Sequence, residues 1–418
     1  MVLSQQQKLR LASNIDATLQ KYTVSDDAES QPRVNGLVQG VSDDKGTVYL
    51  KGSGYKDIGT GAKLDVDDIF GVYSCTKTIT AMGALRLVDE GRLDLDAPVT
   101  KYLPEVAEIG VIDYDAVNEE TGAYEKFPTA PNSPVTVRQL LLHTSGFAYP
   151  FTHYDVLVLA TKNKPKEFNP NDPTRAYFTN EKTPLVHEPG SRWIYGYSFD
   201  FLGFVIEAVS GKKLGEYLKE AIFDPAGMTS TTFHLTGDKS NVVKLHLRRS
   251  TGKLTSSPKG IAHDPILDLG GQGVFTNVSD YLKFLRVWLN YGISPDTGKR
   301  ILKEETVLNA IKDHLPAEIE MDAFPGLSTF DLEGEDLARE GFTLTGNARV
   351  SNRLPTGRPV GSIYWSGFAN LYYWIDFENK IAGFQAGQIM PSRDPESVAA
   401  FNEFETAVYK SLKGDSKL

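Results

Sequence analysis

Ser74 and Lys77 stand three residues apart in the stretch FGVYSCTKTITAMGALRLVDEG, and that pairing has the chemistry of an acyl-transfer nucleophile. A serine hydroxyl is inert until a neighbour accepts its proton, and a lysine held in a desolvated pocket can help remove it. Ile79, Met82, Leu85 and Val88 recur at helical intervals, so the spacing predicts a helix that opens at Ser74 and closes at Gly91. At a helix N-terminus the unpaired amides favour negative charge, and a side chain three residues on lies on the same face one turn later. The spacing by itself discriminates poorly, because Ser42, Ser53, Ser210, Ser250 and Ser256 are each followed by a lysine at the same distance. Those lie in polar turns or, for Ser53, at the Gly-flanked end of a strand, whereas Ser74 opens a long, largely apolar helix.

A second reactive group is expected in HEPGSRWIYGYSFDFLGFVIEAVSGKKL, where Pro189 and Gly190 break the chain before Tyr195 and Tyr197. Ser198 is placed to cap the amphipathic helix that follows. A loop tyrosine entering a cleft can exchange a proton with a serine hydroxyl when a nearby cation stabilises its phenolate. Packing aromatics are the competing explanation for both tyrosines. Phe147, Tyr149, Phe151 and Tyr154 form an aromatic run that suits either an acyl pocket or core. Cys75, rotated about a quarter turn from Ser74, reads as a small buried side chain.

The rest of the composition narrows the chemistry. The seven histidines contain no His-Glu-x-x-His pair, and no carboxylate–histidine cluster has metal spacing, so no metal or other cofactor is expected. A Gly-x-Ser-x-Gly elbow is absent. A net charge of -10 argues against a nucleic-acid footprint, which needs clustered basic surface. The chain has no run of about 20 apolar residues for a bilayer and begins without a basic-then-apolar leader pattern. With one cysteine, it is expected to be soluble and cytoplasmic.

The elements that must hold these residues follow from periodicity. Leu9, Leu11, Ile15 and Leu19 predict an opening helix between Ser4 and Tyr22. Val34–Val41 and Gly46–Gly54 read as strands joined by a turn at Ser42–Lys45. Beyond Val72 the texture is mostly helical, with loops punctuated at Pro128–Pro134, Asn169–Pro173 and Pro184–Gly190. From Gly361 strands return, with a turn at Glu378 and Asn379, and Glu396–Leu412 reads as a closing helix. The expected fold is α+β: an antiparallel sheet from both termini flanked by helices, with a largely helical inserted domain. The expected division is 1–72 with 345–418 as a discontinuous sheet domain and 73–344 as the helical part, together one catalytic unit.

SCTK at Ser74–Lys77, PGSRWIYGYSFDFLG, LLLHTSGF at Leu140–Phe147 and GGQGVFTNVSDYLKFL at Gly270–Leu285 resemble, in order, serine β-lactamase-like proteins. The resemblance is to class C enzymes and family VIII carboxylesterases, with WIYG and GGQGVF especially similar to fungal lovastatin-type acyltransferases. It implies the β-lactamase/transpeptidase-like fold, Ser74 as nucleophile, Lys77 as proton-transfer partner and Tyr195 as general base and acid. His143 is structural in the resembling proteins. Trp365-Ser366-Gly367 stands where the family usually has Lys-Thr-Gly, as Trp-Gly-Gly does in the esterase branch. By the same resemblance the backbone amides of Ser74 and Phe368 form the oxyanion hole, and Tyr149, Tyr197, Trp365, Ser366 and Gly367 meet the substrate. Trp365 cannot supply the charge that binds a β-lactam carboxylate, and Tyr197 replaces a common asparagine, so esters, thioesters or lactones fit better than antibiotics. The expected partners are a small-molecule acyl donor and water or an alcohol. A carboxylesterase is the leading expectation; an acyltransferase toward a secondary-metabolite alcohol, a weak β-lactamase and a non-catalytic binding relative are the alternatives.

Overall fold

The computed structural model describes residues 4–25, 30–113, 115–162, 175–179, 182–321 and 340–412. The loop expected at Asn169–Pro173 lies outside them. Three strands come from the N-terminal part: β1 (Gly36–Asp43), β2 (Thr47–Asp57) and β3 (Ala62–Lys63). Five come from the C-terminal part: β4 (Gly341–Phe342), β5 (Ala348–Arg349), β6 (Ile363–Gly367), β7 (Leu371–Asp376) and β8 (Ile381–Ala386). They form one eight-stranded antiparallel sheet in the order β3-β2-β1-β8-β7-β6-β5-β4. The pairing of β1 with β8, from Val38 opposite Ala386 to Asp43 opposite Ile381, is what joins the two ends of the chain.

The β1–β2 turn is held by the Asp43 carboxylate, which accepts the amides of Lys45 and Gly46, both at 2.9 Å. Two terminal helices, α1 (Gln5–Thr23) and α5 (Pro395–Leu412), pack against each other. Between them in sequence come α2 (Thr76–Asp89), α3 (Ser198–Ser210) and α4 (Val278–Leu289). Consecutive residues of a strand point to opposite faces, and β7 shows the consequence. Trp374 meets Phe401 and Phe404 of α5 at ring separations of 5.8 and 5.5 Å, while its neighbour Tyr373 meets Tyr281 of α4 at 5.3 Å. The sheet is therefore covered on both sides, and burying each such ring contributes roughly 2–3 kcal/mol.

The inserted part carries more than helices. Leu245–Arg248 lies between Leu254–Ser257 and Ile389–Met390 and pairs with each in a three-stranded sheet, and Phe70–Gly71 pairs with Phe275–Thr276. Two-residue strands have no periodicity to read, yet this last pair sets the Gly270–Leu285 motif beside the approach to Ser74. Ser198 does not cap α3: that helix begins without a side-chain cap, and the Ser198 hydroxyl pairs with Ser145 Oγ at 2.8 Å. A partner 53 residues away outcompetes the local amide.

Candidate active site

Ser74 lies in a single 3₁₀ turn, Tyr73–Cys75, that runs directly into α2. Tyr73 holds φ at +46°, a conformation that costs a non-glycine residue on the order of 1–3 kcal/mol. One turn on, Lys77 is fully buried and spends three hydrogen bonds: on Ser74 Oγ at 3.0 Å, Tyr149 Oη at 3.2 Å and the Gly271 carbonyl at 2.8 Å. Tyr195 donates its hydroxyl to Ser74 Oγ at 2.6 Å. Ser74, Lys77 and Tyr195 are thus brought within hydrogen-bond reach of one oxygen.

Tyr195 is held by its surroundings more than by its own loop. Its ring lies 4.8 Å from His143 and 5.3 Å from Trp365, with Lys77 Nζ 4.6 Å from the ring centre. Gly196 lets the loop sit down, since a Cβ there would fall 1.9 Å from the Phe147 carbonyl oxygen. His143 is a packing residue: it accepts the Gly196 amide at 3.4 Å, and burial, then the charge of Lys77, holds it well below its ordinary range. It stays neutral among Trp193, Tyr195, Phe199 and Phe342. Cys75 is also buried, and burial pushes its thiol up, away from the reactive thiolate.

A cavity of about 490 Å³ opens over Ser74, walled by Tyr149, Phe151, Tyr195, Tyr197 and Trp365. Among the described lining residues the charged one is Lys259. The aromatic run divides: Phe147 stacks on Phe201 at 3.9 Å in the core, Tyr149 and Phe151 face the cavity, and Tyr154 is 56% exposed. Ser366 lines the cavity as well. Tyr197 pairs with Tyr177 Oη at 3.2 Å. Gly367 is different, because it lies outside the cavity lining and a Cβ there would meet the Val72 carbonyl oxygen at 2.6 Å. Its smallness brings β6 against the Ser74 turn. Phe368 follows, its ring at the cavity wall, and among the described residues neither its amide nor that of Ser74 is taken by another acceptor.

Asp200 escaped the reading of the sequence. It is 1% exposed in the first turn of α3 and accepts the Gly271 amide at 3.0 Å and the Tyr149 hydroxyl at 3.2 Å. Burial pushes its carboxyl up to about 6, against the pull of Lys77 and these two donors. The available signal was a carboxylate inside an apolar helix start, SFDFLGFV, which needs a buried partner. Tyr149 is correspondingly more than a wall: it bridges Asp200 and Lys77.

Among the described residues no group of three or more His, Cys, Asp or Glu is placed to hold a metal ion, and no helix is long and apolar enough to cross a membrane. Comparison with known proteins is consistent along most of the chain. The protein Rv1367c of Mycobacterium tuberculosis is 31% identical over 65% of this chain, which spans 66% of that protein's length. A lovastatin esterase of Penicillium rubens is 27% identical, with 90% of this chain and 95% of the esterase aligned. Simvastatin synthase (LovD) of Aspergillus terreus superposes with a TM-score of 0.79 at 25% identity, covering 95% of this chain and 98% of its own. The Beta-lactamase family model matches residues 11–407, and the chain belongs to that family.

Proposed function

We propose that the protein is a serine carboxylesterase that hydrolyses small-molecule esters, thioesters or lactones through an acyl-enzyme on Ser74. One observation carries this reading: Ser74 Oγ receives Tyr195 Oη at 2.6 Å and Lys77 Nζ at 3.0 Å on the floor of an aromatic cavity. Acting as its phenolate, with Lys77 beside it, Tyr195 takes the Ser74 proton as the oxygen attacks the acyl carbon, then returns it to the departing alkoxide and is a phenolate again. Water, activated by the same tyrosine, adds to the acyl-enzyme and releases the acid and free Ser74. Lys77, beside both oxygens, offsets the negative charge that moves between them. The amides of Ser74 and Phe368 are assigned to the tetrahedral oxyanion, where each such donor is worth roughly 3 kcal/mol.

Tyr149, Phe151, Tyr197, Trp365 and Ser366 are assigned to substrate contact, and Gly367 to positioning β6. The two parts expected from the sequence, 1–72 with 345–418 and 73–344, act as one unit with Ser74 at their junction, the sheet reaching past the first part to take in Gly341–Phe342. The single buried cysteine supports a reducing, cytoplasmic setting. Kinship with simvastatin synthase favours a second reading in which an alcohol, not water, resolves the acyl-enzyme. A p-nitrophenyl ester assay with added alcohols separates them. Free acid as the main product at every alcohol concentration supports hydrolysis, and ester product exceeding acid replaces it with transfer.

A further inference from the structure

We propose that Asp200, acting through Tyr149, is a positioning residue that keeps Lys77 charged and so directs the Ser74 proton to Tyr195. The inference rests on the assignment of Ser74 as nucleophile. It begins from a count of protons. The Gly271 carbonyl can only accept, and Tyr149, having given its one proton to Asp200, also accepts from Lys77. Two N–H groups of Lys77 are committed in this way, and its third position faces Ser74 Oγ.

The count alone admits two states. An ammonium donates a third bond to Ser74 Oγ and leaves the serine proton to Tyr195 as its phenolate; a neutral amine aims its lone pair at Ser74 and takes that proton itself, while Tyr195 keeps its own and donates it to Ser74 Oγ. Charge decides between them. Lys77 is fully buried, and a buried cation needs an opposite charge. Among the described residues the groups around it are Ser74, Tyr149, Tyr195, Asp200, Cys75 and His143. Burial favours the neutral thiol of Cys75 and the neutral ring of His143, and keeps the Tyr149 hydroxyl protonated. Asp200 is the carboxylate in that set. It stands one hydroxyl away, and the Gly271 amide that it accepts belongs to the residue whose carbonyl accepts from Lys77. One carboxylate therefore fixes both the charge of the ammonium and the direction of its bonds.

The test is the pH profile of kcat/KM for an uncharged p-nitrophenyl ester, with Asp200→Asn, Asp200→Glu and Ser74→Ala beside the wild type. Asp200→Asn keeps the shape and removes the charge, so the alkaline limb moves to lower pH by about one unit, the usual effect of losing a nearby opposite charge. The loss falls on kcat with KM little changed, and Asp200→Glu moves the limb back toward the wild type. A residue that merely packed would lower the folded fraction without moving the limb. Should Asp200→Asn fail to fold, Tyr149→Phe breaks the bridge while retaining the carboxylate, and its limb moves in the same direction by less. An alkaline limb unmoved in whichever of these variants folds overturns the proposal while Ser74→Ala is inactive. Persistent turnover by Ser74→Ala overturns the nucleophile and the role of Asp200 together.

Discussion

Tyr195→Phe removes one atom from the centre of the account. The phenylalanine ring retains the contacts with His143, Trp365 and Tyr149, at 4.8, 5.3 and 5.3 Å, and loses only the oxygen 2.6 Å from Ser74 Oγ. The stability cost is that of one hydrogen bond, about 1 kcal/mol, which for a chain of this size lowers Tm by no more than about 2 °C. The kinetic cost is much larger if Tyr195 carries the proton, because a positioned general base contributes 10²–10⁴-fold. A thousandfold fall in kcat/KM corresponds to about 4 kcal/mol of lost transition-state stabilisation. If Lys77 were the base and Tyr195 merely oriented the serine, the loss would be about tenfold, roughly one hydrogen bond. Steady-state rates on a p-nitrophenyl ester and a thermal melt on the same preparation give both quantities. Retention of kcat/KM within about tenfold of wild type refutes the assignment of Tyr195.

Gly196→Ala places a methyl 1.9 Å from the Phe147 carbonyl oxygen, so the two backbones must part. The expected cost is about 3 kcal/mol or more, seen as a lower Tm, with activity lost because Tyr195 moves off Ser74. Cys75→Ala is expected to leave ester turnover near the wild-type rate and to cost about 1–2 kcal/mol from the small void in a full core. Iodoacetamide should not inhibit the native enzyme, and loss of turnover in either experiment would give the thiol a role it has not been assigned.

What the sequence discloses here depends on how far apart the interacting residues lie. Ser74 and Lys77 share one helical turn, and Tyr195 follows a Pro-Gly break, so both are legible as local patterns with a family resemblance to order them. The closing of the sheet by β1 and β8 was legible too, because strands of eight and six residues, buried along their whole length, stand out between turn signals and their flanking helices are long. The Asp200–Tyr149–Lys77–Gly271 network was not, since its members are spread over residues 77 to 271 and meet only in the folded chain. The same reason explains Ser198, whose hydroxyl prefers Ser145 to the local helix amides. Trp365 and Gly367 looked alike as members of one tripeptide. Strand alternation leaves them on one face, yet only Trp365 reaches the cavity, because the glycine has no side chain and its Cα seats against Val72.

The central claim is that acyl transfer passes through Ser74. Intact-protein mass spectrometry after rapid acid quench of the enzyme with a slowly turned-over p-nitrophenyl ester measures it directly. The account predicts one added acyl mass in the wild type, mapped to the peptide carrying Ser74, and none in Ser74→Ala. Turnover without any adduct, or an adduct that survives in Ser74→Ala, contradicts it.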